Sequence, residues 1–163
     1  MDTPKTRLAR TSATCLHSGH FRSNGIMPYI NHCRGVVERL VNRYQNKWSP
    51  RDLEIGIQIA WLHDTIEDKR CTMPDLISAG FDPEVLVGVT FLTRREGETY
   101  GAFILRLEHD EIARGVKICD ILDNLGDAPT NNAIRRYAQA LLVLLAHEGQ
   151  QNAERDREET AGA

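Results

Sequence analysis

Residues 49–68 read SPRDLEIGIQIAWLHDTIED, and both ends of the stretch carry information. Ser49 has the side chain of a helix N-cap, Pro50 suits the first helical position, and Asp52 and Glu54 put negative charge into the first turn. The apolar residues that follow predict a helix running to about Glu67. Four titratable residues close it: His63, Asp64, Glu67 and Asp68. On a helix, His63 and Glu67 stand one turn apart, as do Asp64 and Asp68, so all four project from one stripe of roughly 140° at ~100° per residue. Three carboxylates and an imidazole then crowd together at the margin of a buried helix. Such a cluster is costly unless water solvates it or a cation neutralises it. Taken alone, the dipeptide His63-Asp64 reads as the solvated end of a helix; a metal site needs further ligands from elsewhere in the chain.

Outward from this helix the punctuation stays helical. Thr72-Met73-Pro74-Asp75 opens a short helix that Gly80 closes, and Asp82-Pro83-Glu84 opens another carrying Val85, Leu86, Val89 and Leu92. Helical spacing also marks Cys33 to Tyr44, Tyr100 to Leu107, Ala113 to Leu125 and, the longest and most apolar, Asn131 to His147. That makes seven or eight helices, with no strand alternation or hairpin dipeptide, so the fold class expected is all-α. Residues 1–10 read as a loose N-terminus, residues 11–149 as one domain, and residues 150–163, which lack Val, Ile, Leu, Met and aromatics, as a loose tail. A chain of 163 residues, 41% hydrophobic and 26% charged, suits a single globular domain and excludes disordered and collagen-like classes. The longest apolar stretch, Ala138 to Ala146, is interrupted at Gln139 and falls short of a membrane span. Twenty Lys and Arg against 23 Asp and Glu leave no global field for nucleic acid or anionic membrane, so neither partner is expected. Oligomeric state is left open. Four cysteines with no CxxC pair read as reduced thiols, and the polar, basic N-terminus carries no signal-peptide run; a cytoplasmic protein is expected.

Two further residues change the weight of His63-Asp64. His32 follows the Pro28-Tyr29 turn at the mouth of an apolar helix, and Asp120 sits within Val116-Lys117-Ile118-Cys119-Asp120-Ile121-Leu122, where a carboxylate faces inward or wastes an apolar face. Two histidines and two aspartates from three helices make a mixed nitrogen and oxygen donor set. It suits Mn, Fe, Ni or Zn and argues against a thiolate-type structural zinc.

The order His32, His63-Asp64, Asp120 resembles the H…HD…D signature of the HD-domain metal-dependent phosphohydrolases. The flanks HSGHFRSNGIMPYINH, WLHDTIED and VKICDILDNL are similar to the hydrolase half of the RelA/SpoT alarmone enzymes and to the small stand-alone hydrolases of guanosine 3′,5′-bis(diphosphate). The resemblance covers about Ala13 to Leu125 and implies an HD-domain helical bundle. It implies that His32, His63, Asp64 and Asp120 bind a divalent metal, Mn2+ first, with Fe, Ni, Zn and Mg as alternatives. It further implies that Glu67 and Asp68 act in catalysis, that Arg22 and Asn124 hold a small-molecule nucleotide, and, more weakly, that Tyr137 lies near it. The reaction implied is removal of pyrophosphate from the 3′ position by a metal-activated water. Other readings are an HD phosphohydrolase of a nucleoside monophosphate, a triphosphate or an adenosine alarmone, and a non-catalytic module that binds metal and nucleotide. No synthesis activity is expected, as the chain has no room for a synthetase domain. The sequence departs from the family at His20, usually glutamine, at Cys33, often proline, and at Gly126, commonly arginine. These leave the metal ligands intact and alter the surrounding pocket. His17 and His20 read as solvated loop histidines, with a place near the substrate as the alternative. Lys117 reads as a phosphate contact or as a lysine snorkelling to solvent.

Overall fold

The computed structural model describes residues 1–23 and 25–161, with side chains described through residue 149 and at Arg157. In chain order the helices are α1 (Pro4–Leu16), α2 (Ile30–Tyr44), α3 (Pro50–Leu62), α4 (Met73–Ser78), α5 (Pro83–Leu92), α6 (Tyr100–Arg106), α7 (Glu111–Leu125) and α8 (Asn131–Ala161). A 3-10 turn, Leu107–His109, joins α6 to α7. Among the described residues the only extended pairing is an isolated bridge between Phe21 and Pro28, so the fold is all-α.

The centre is α3. Every residue from Ile55 to Leu62 is buried, and the helix is apolar all round because α1, α2, α5 and α7 enclose it. Its N-terminus is capped as expected: Ser49 Oγ accepts from Asp52 N at 3.1 Å. Close approach to α5 depends on Gly88, where a Cβ would meet Ile59 Cδ1 at 2.2 Å. On the far side, α8 lays Ala140 and Leu144 into the core against α7 and α6. No helix among the described residues is long and apolar enough to cross a membrane.

Three boundaries differ from the sequence reading. The stretch read as a loose N-terminus is helical from Pro4, because Thr3 and Thr6 form a reciprocal capping box: Thr3 Oγ1 accepts from Thr6 N at 3.2 Å, and Thr6 Oγ1 accepts from Thr3 N at 2.9 Å. Its buried face is Thr6, Ala9 and Ala13, small residues that let α1 lie close on α3 and give no strong apolar signal. At the other end α8 continues through the stretch read as a loose tail, from Gln150 to Ala161; its alanine, glutamine, glutamate and arginine residues are good helix formers, while residues 162–163 lie outside the described residues. The third difference matters most for chemistry. The central helix stops at Leu62 and does not reach Glu67. Thr65 Oγ1 donates to Leu62 O at 2.7 Å, the amides of Arg70 and Cys71 both close on Thr65 O, and Lys69 takes a left-handed φ of 55°. Residues 63–69 are therefore a wound turn, and the four titratable side chains do not share a helical face.

Candidate metal centre

Four side chains from separate parts of the fold converge where α3 ends. His32 comes from the first turn of α2, His63 caps the C-terminus of α3, Asp64 begins the turn after it, and Asp120 lies in α7. Nε2 of His32 is 3.1 Å from Asp120 Oδ1 and 3.7 Å from Asp64 Oδ2; Nε2 of His63 is 2.8 Å from Asp64 Oδ2 and 3.8 Å from Asp120 Oδ1. The histidines and Asp120 are buried, and Asp64 is partly so.

The far ring nitrogens assign the tautomers. His63 Nδ1 lies 2.9 Å from Ala60 O, and a carbonyl only accepts, so Nδ1 carries the proton. His32 Nδ1 lies 2.8 Å from Asp123 Oδ2, again an acceptor. Both Nε2 lone pairs are thereby left facing carboxylate oxygens. His63 Nε2 is buried and, despite its short distance to Asp64, makes no hydrogen bond of proper geometry among the described residues. Donor atoms of His32, His63 and Asp120 lie within 4.8 Å of one another, and with Asp64 Oδ2 beside both Nε2 atoms the set fits a divalent cation. Asp123 acts as the outer partner that orients His32, and Gly35 makes room for it, since a Cβ there would fall 2.3 Å from Asp123 Oδ1.

With no cation the cluster takes up protons. Burial opposes charge on His32, but Asp120, Asp123 and Asp64 outweigh it and push the imidazole up to about 11. Burial likewise opposes charge on His63, and Asp64 and Asp120 push it up to about 9. Burial works against charge on Asp64 and Asp120 too, yet both are held well below the usual carboxylate range, Asp64 by His63 and His32, Asp120 by Lys117 and the two imidazoles.

The surrounding side chains hold the ligands. Tyr29 donates its hydroxyl to Asp64 Oδ2, Lys117 Nζ donates to Asp120 Oδ2 at 2.6 Å, and Asn124 Nδ2 donates to Asp120 Oδ1 at 2.6 Å. Lys117 is therefore engaged at the centre and does not run out to solvent. Arg22, in the loop between α1 and α2, reaches across to the end of α7: Nε to Asp127 Oδ2 at 2.7 Å, Nη2 to Asn124 Oδ1 at 3.1 Å and Nη1 to Asp123 Oδ2 at 3.4 Å. Its guanidinium is buried and joined to the centre through Asn124.

Glu67 and Asp68 stand apart from each other. Glu67 is exposed and accepts the Arg94 amide at 3.2 Å, which ties it to the loop between α5 and α6. Asp68 faces His20, with Oδ2 3.7 Å from Nδ1, and its carboxyl is raised by burial and by the charge of Asp64. Tyr137 lies on α8, where the Arg136 guanidinium covers both its ring, at 5.2 Å, and that of Tyr100, at 4.9 Å. The Tyr100 hydroxyl is buried without a hydrogen-bond partner among the described residues, and its proton is held more tightly because of burial, with Lys117 acting in the opposite sense.

Sequence reasoning passed over Tyr29 and Asp123, although Asp123 lies one turn after Asp120 on α7. It also misplaced His17, which is 3% exposed and packed beside this centre, not solvated.

No family model matches the chain, and no curated protein does. Among solved structures it is similar to one described as a metazoan ortholog of SpoT that hydrolyzes ppGpp and plays a role in starvation responses. The TM-score is 0.63 at 21% identity, over 88% of this chain and 83% of that one. The likeness is one of fold, and it bears out the all-α helical bundle.

Proposed function

We propose that the protein is a metal-dependent nucleotide phosphohydrolase that removes pyrophosphate from the 3′ position of guanosine 3′,5′-bis(diphosphate). The observation that carries the reading is the buried convergence of His32, His63, Asp64 and Asp120, with both Nε2 lone pairs turned towards carboxylates. A divalent cation, Mn2+ in this reading, would be held by these four and would supply a polarised phosphoryl oxygen and a water acidified towards neutral pH. Lys117 and Arg136 give the neighbourhood positive charge for a polyphosphate, and the rings of Tyr100 and Tyr137 give a base or ribose something to pack on. Arg22 and Asn124 set the edge of the nucleotide site.

In the hydrolysis a water oxygen joins the phosphorus while the ribose 3′ oxygen leaves and takes a proton. Asp68, with its raised carboxyl, and Glu67, at the rim, are the groups that orient the water and carry that proton. The fold likeness to a ppGpp hydrolase supports this substrate class.

The test is pyrophosphate release from guanosine 3′,5′-bis(diphosphate), with Mn2+ or after chelation, in wild type and Asp64→Ala. Metal-dependent release that the variant loses is the expected result. Orthophosphate and nucleoside from a monophosphate, with no pyrophosphate from the bis(diphosphate), would move the reaction to another nucleotide. Tight nucleotide binding without product from any of them would make the domain a sensor.

A further inference from the structure

We propose a second metal site beside the first, formed by Nδ1 of His17, Nδ1 of His20 and Oδ2 of Asp68. One donor atom of each residue lies within 4.8 Å of the others, and none of the three residues is among the four described above.

The spacing of the two imidazole nitrogens suits one shared ion, which would take the place of the hydrogen bond between them. The two Nδ1 atoms face each other at 3.2 Å. Two nitrogens bound to one first-row ion at about 2.1 Å each, at an angle between about 90° and 109°, are separated by about 3.0–3.4 Å. Asp68 Oδ2 lies 3.7 Å from His20 Nδ1 and supplies the third donor. Tyr29 sets the ring planes. It stacks on His20 with centroids 4.2 Å apart and an interplanar angle of 12°, and on His17 at 4.8 Å and 29°. The same tyrosine donates to Asp64, so the second site is fastened to a ligand of the first.

His17 supplies an independent observation. A buried imidazole ordinarily has its nitrogens engaged by the protein. His17 is buried, and among the described residues its ring has one hydrogen-bond partner, the His20 nitrogen; the unpaired Nε2 is the atom that would keep the proton while Nδ1 ligates. His20 stands where the resembling family usually has glutamine, so this donor is a property of the present chain. With Oδ2 on the ion, Asp68 keeps Oδ1 to orient the water, and the proton assigned above is then carried by Glu67.

The test is metal stoichiometry. Chelated protein is loaded separately with Mn2+ and with Zn2+, freed of excess by gel filtration, and its metal content is measured for wild type, His20→Gln, Asp120→Asn and the double variant. Circular dichroism of each establishes the helical fold. The expected contents are two ions per chain for wild type, one for each single variant and none for the double. One ion in wild type and one in His20→Gln would overturn the second site and leave the first untouched. Wild-type content in Asp120→Asn would instead count against the first site, so the two failures are distinguishable. Co2+ gives a check that does not depend on counting: its second equivalent adds visible ligand-field bands in wild type, and their persistence in His20→Gln would also overturn the proposal.

Discussion

At the scale of single residues, the metal centre is set by atoms one bond removed from it. Asp123 touches no ion in the proposed arrangement, yet it decides which nitrogen of His32 carries the proton. Asp123→Ala is expected to weaken Mn2+ binding about 10- to 100-fold while leaving helix content unchanged, as read by competition with a chelating dye. Gly35→Ala should act in the same direction, because its methyl group takes the space of Oδ1. The paired imidazoles also give a pH dependence whose sign can be worked out. Raised histidine pKa values stabilise the metal-free fold fully below the unfolded value of about 6.5, and that contribution is lost as pH rises through about 9 for His63. Metal binding needs those nitrogens unprotonated. Thermal melts of chelated protein should therefore show Tm falling between about pH 6.5 and 9, while Mn2+ affinity measured over the same interval rises. Asp120 was legible as a candidate because it is a carboxylate within an apolar helix, and His63 and Asp64 because they close another. Asp123 and Tyr29 were not, since a carboxylate at the end of a helix and a tyrosine in a turn look like ordinary surface chemistry until their partners, 91 and 35 residues away, are in place.

At the scale of elements, proline-led starts made α3, α4 and α5 easy to find, whereas the stop of α3 depended on a backbone turn around Thr65 that no residue pattern announces. Packing between α3 and α5 is tight enough to test. Gly88→Ala should cost about 1–3 kcal/mol in urea denaturation by overpacking against Ile59, and Ile59→Val should recover part of it. The link between α5 and α6 rests on Arg106. Its guanidinium pairs with both oxygens of Glu98, at 2.8 and 2.9 Å, and caps the carbonyls of Phe91 and Thr93. Arg106→Ala should cost about 1–3 kcal/mol, since those acceptors lose their donor. It should also lower kcat more than it raises KM, because the same loop presents the Arg94 amide that steadies Glu67.

At the scale of the whole molecule, the all-α class and the central helix followed from periodicity together with the capping and proline signals, while the extents of α1 and α8 did not, because small or charged residues form helices without an apolar stripe. Binding to the folded form alone makes stability depend on metal. With free Mn2+ about 1,000-fold above Kd the gain is about 4 kcal/mol, and chelation should remove it as a drop in Tm. Arg22 grips Asp127, a separation of 105 residues, and the four proposed ligands are spread over most of that interval. A ribosome adds about 5–20 residues per second, so roughly 5–20 s pass between the synthesis of the clamp and that of the residues it holds. Between the synthesis of Asp64 and that of Asp120 the emerging chain carries His32, His63 and Asp64 but no Asp120 and no seat for Arg22. The proposed metal site is thus incomplete in the nascent chain until α7 has been made and docks.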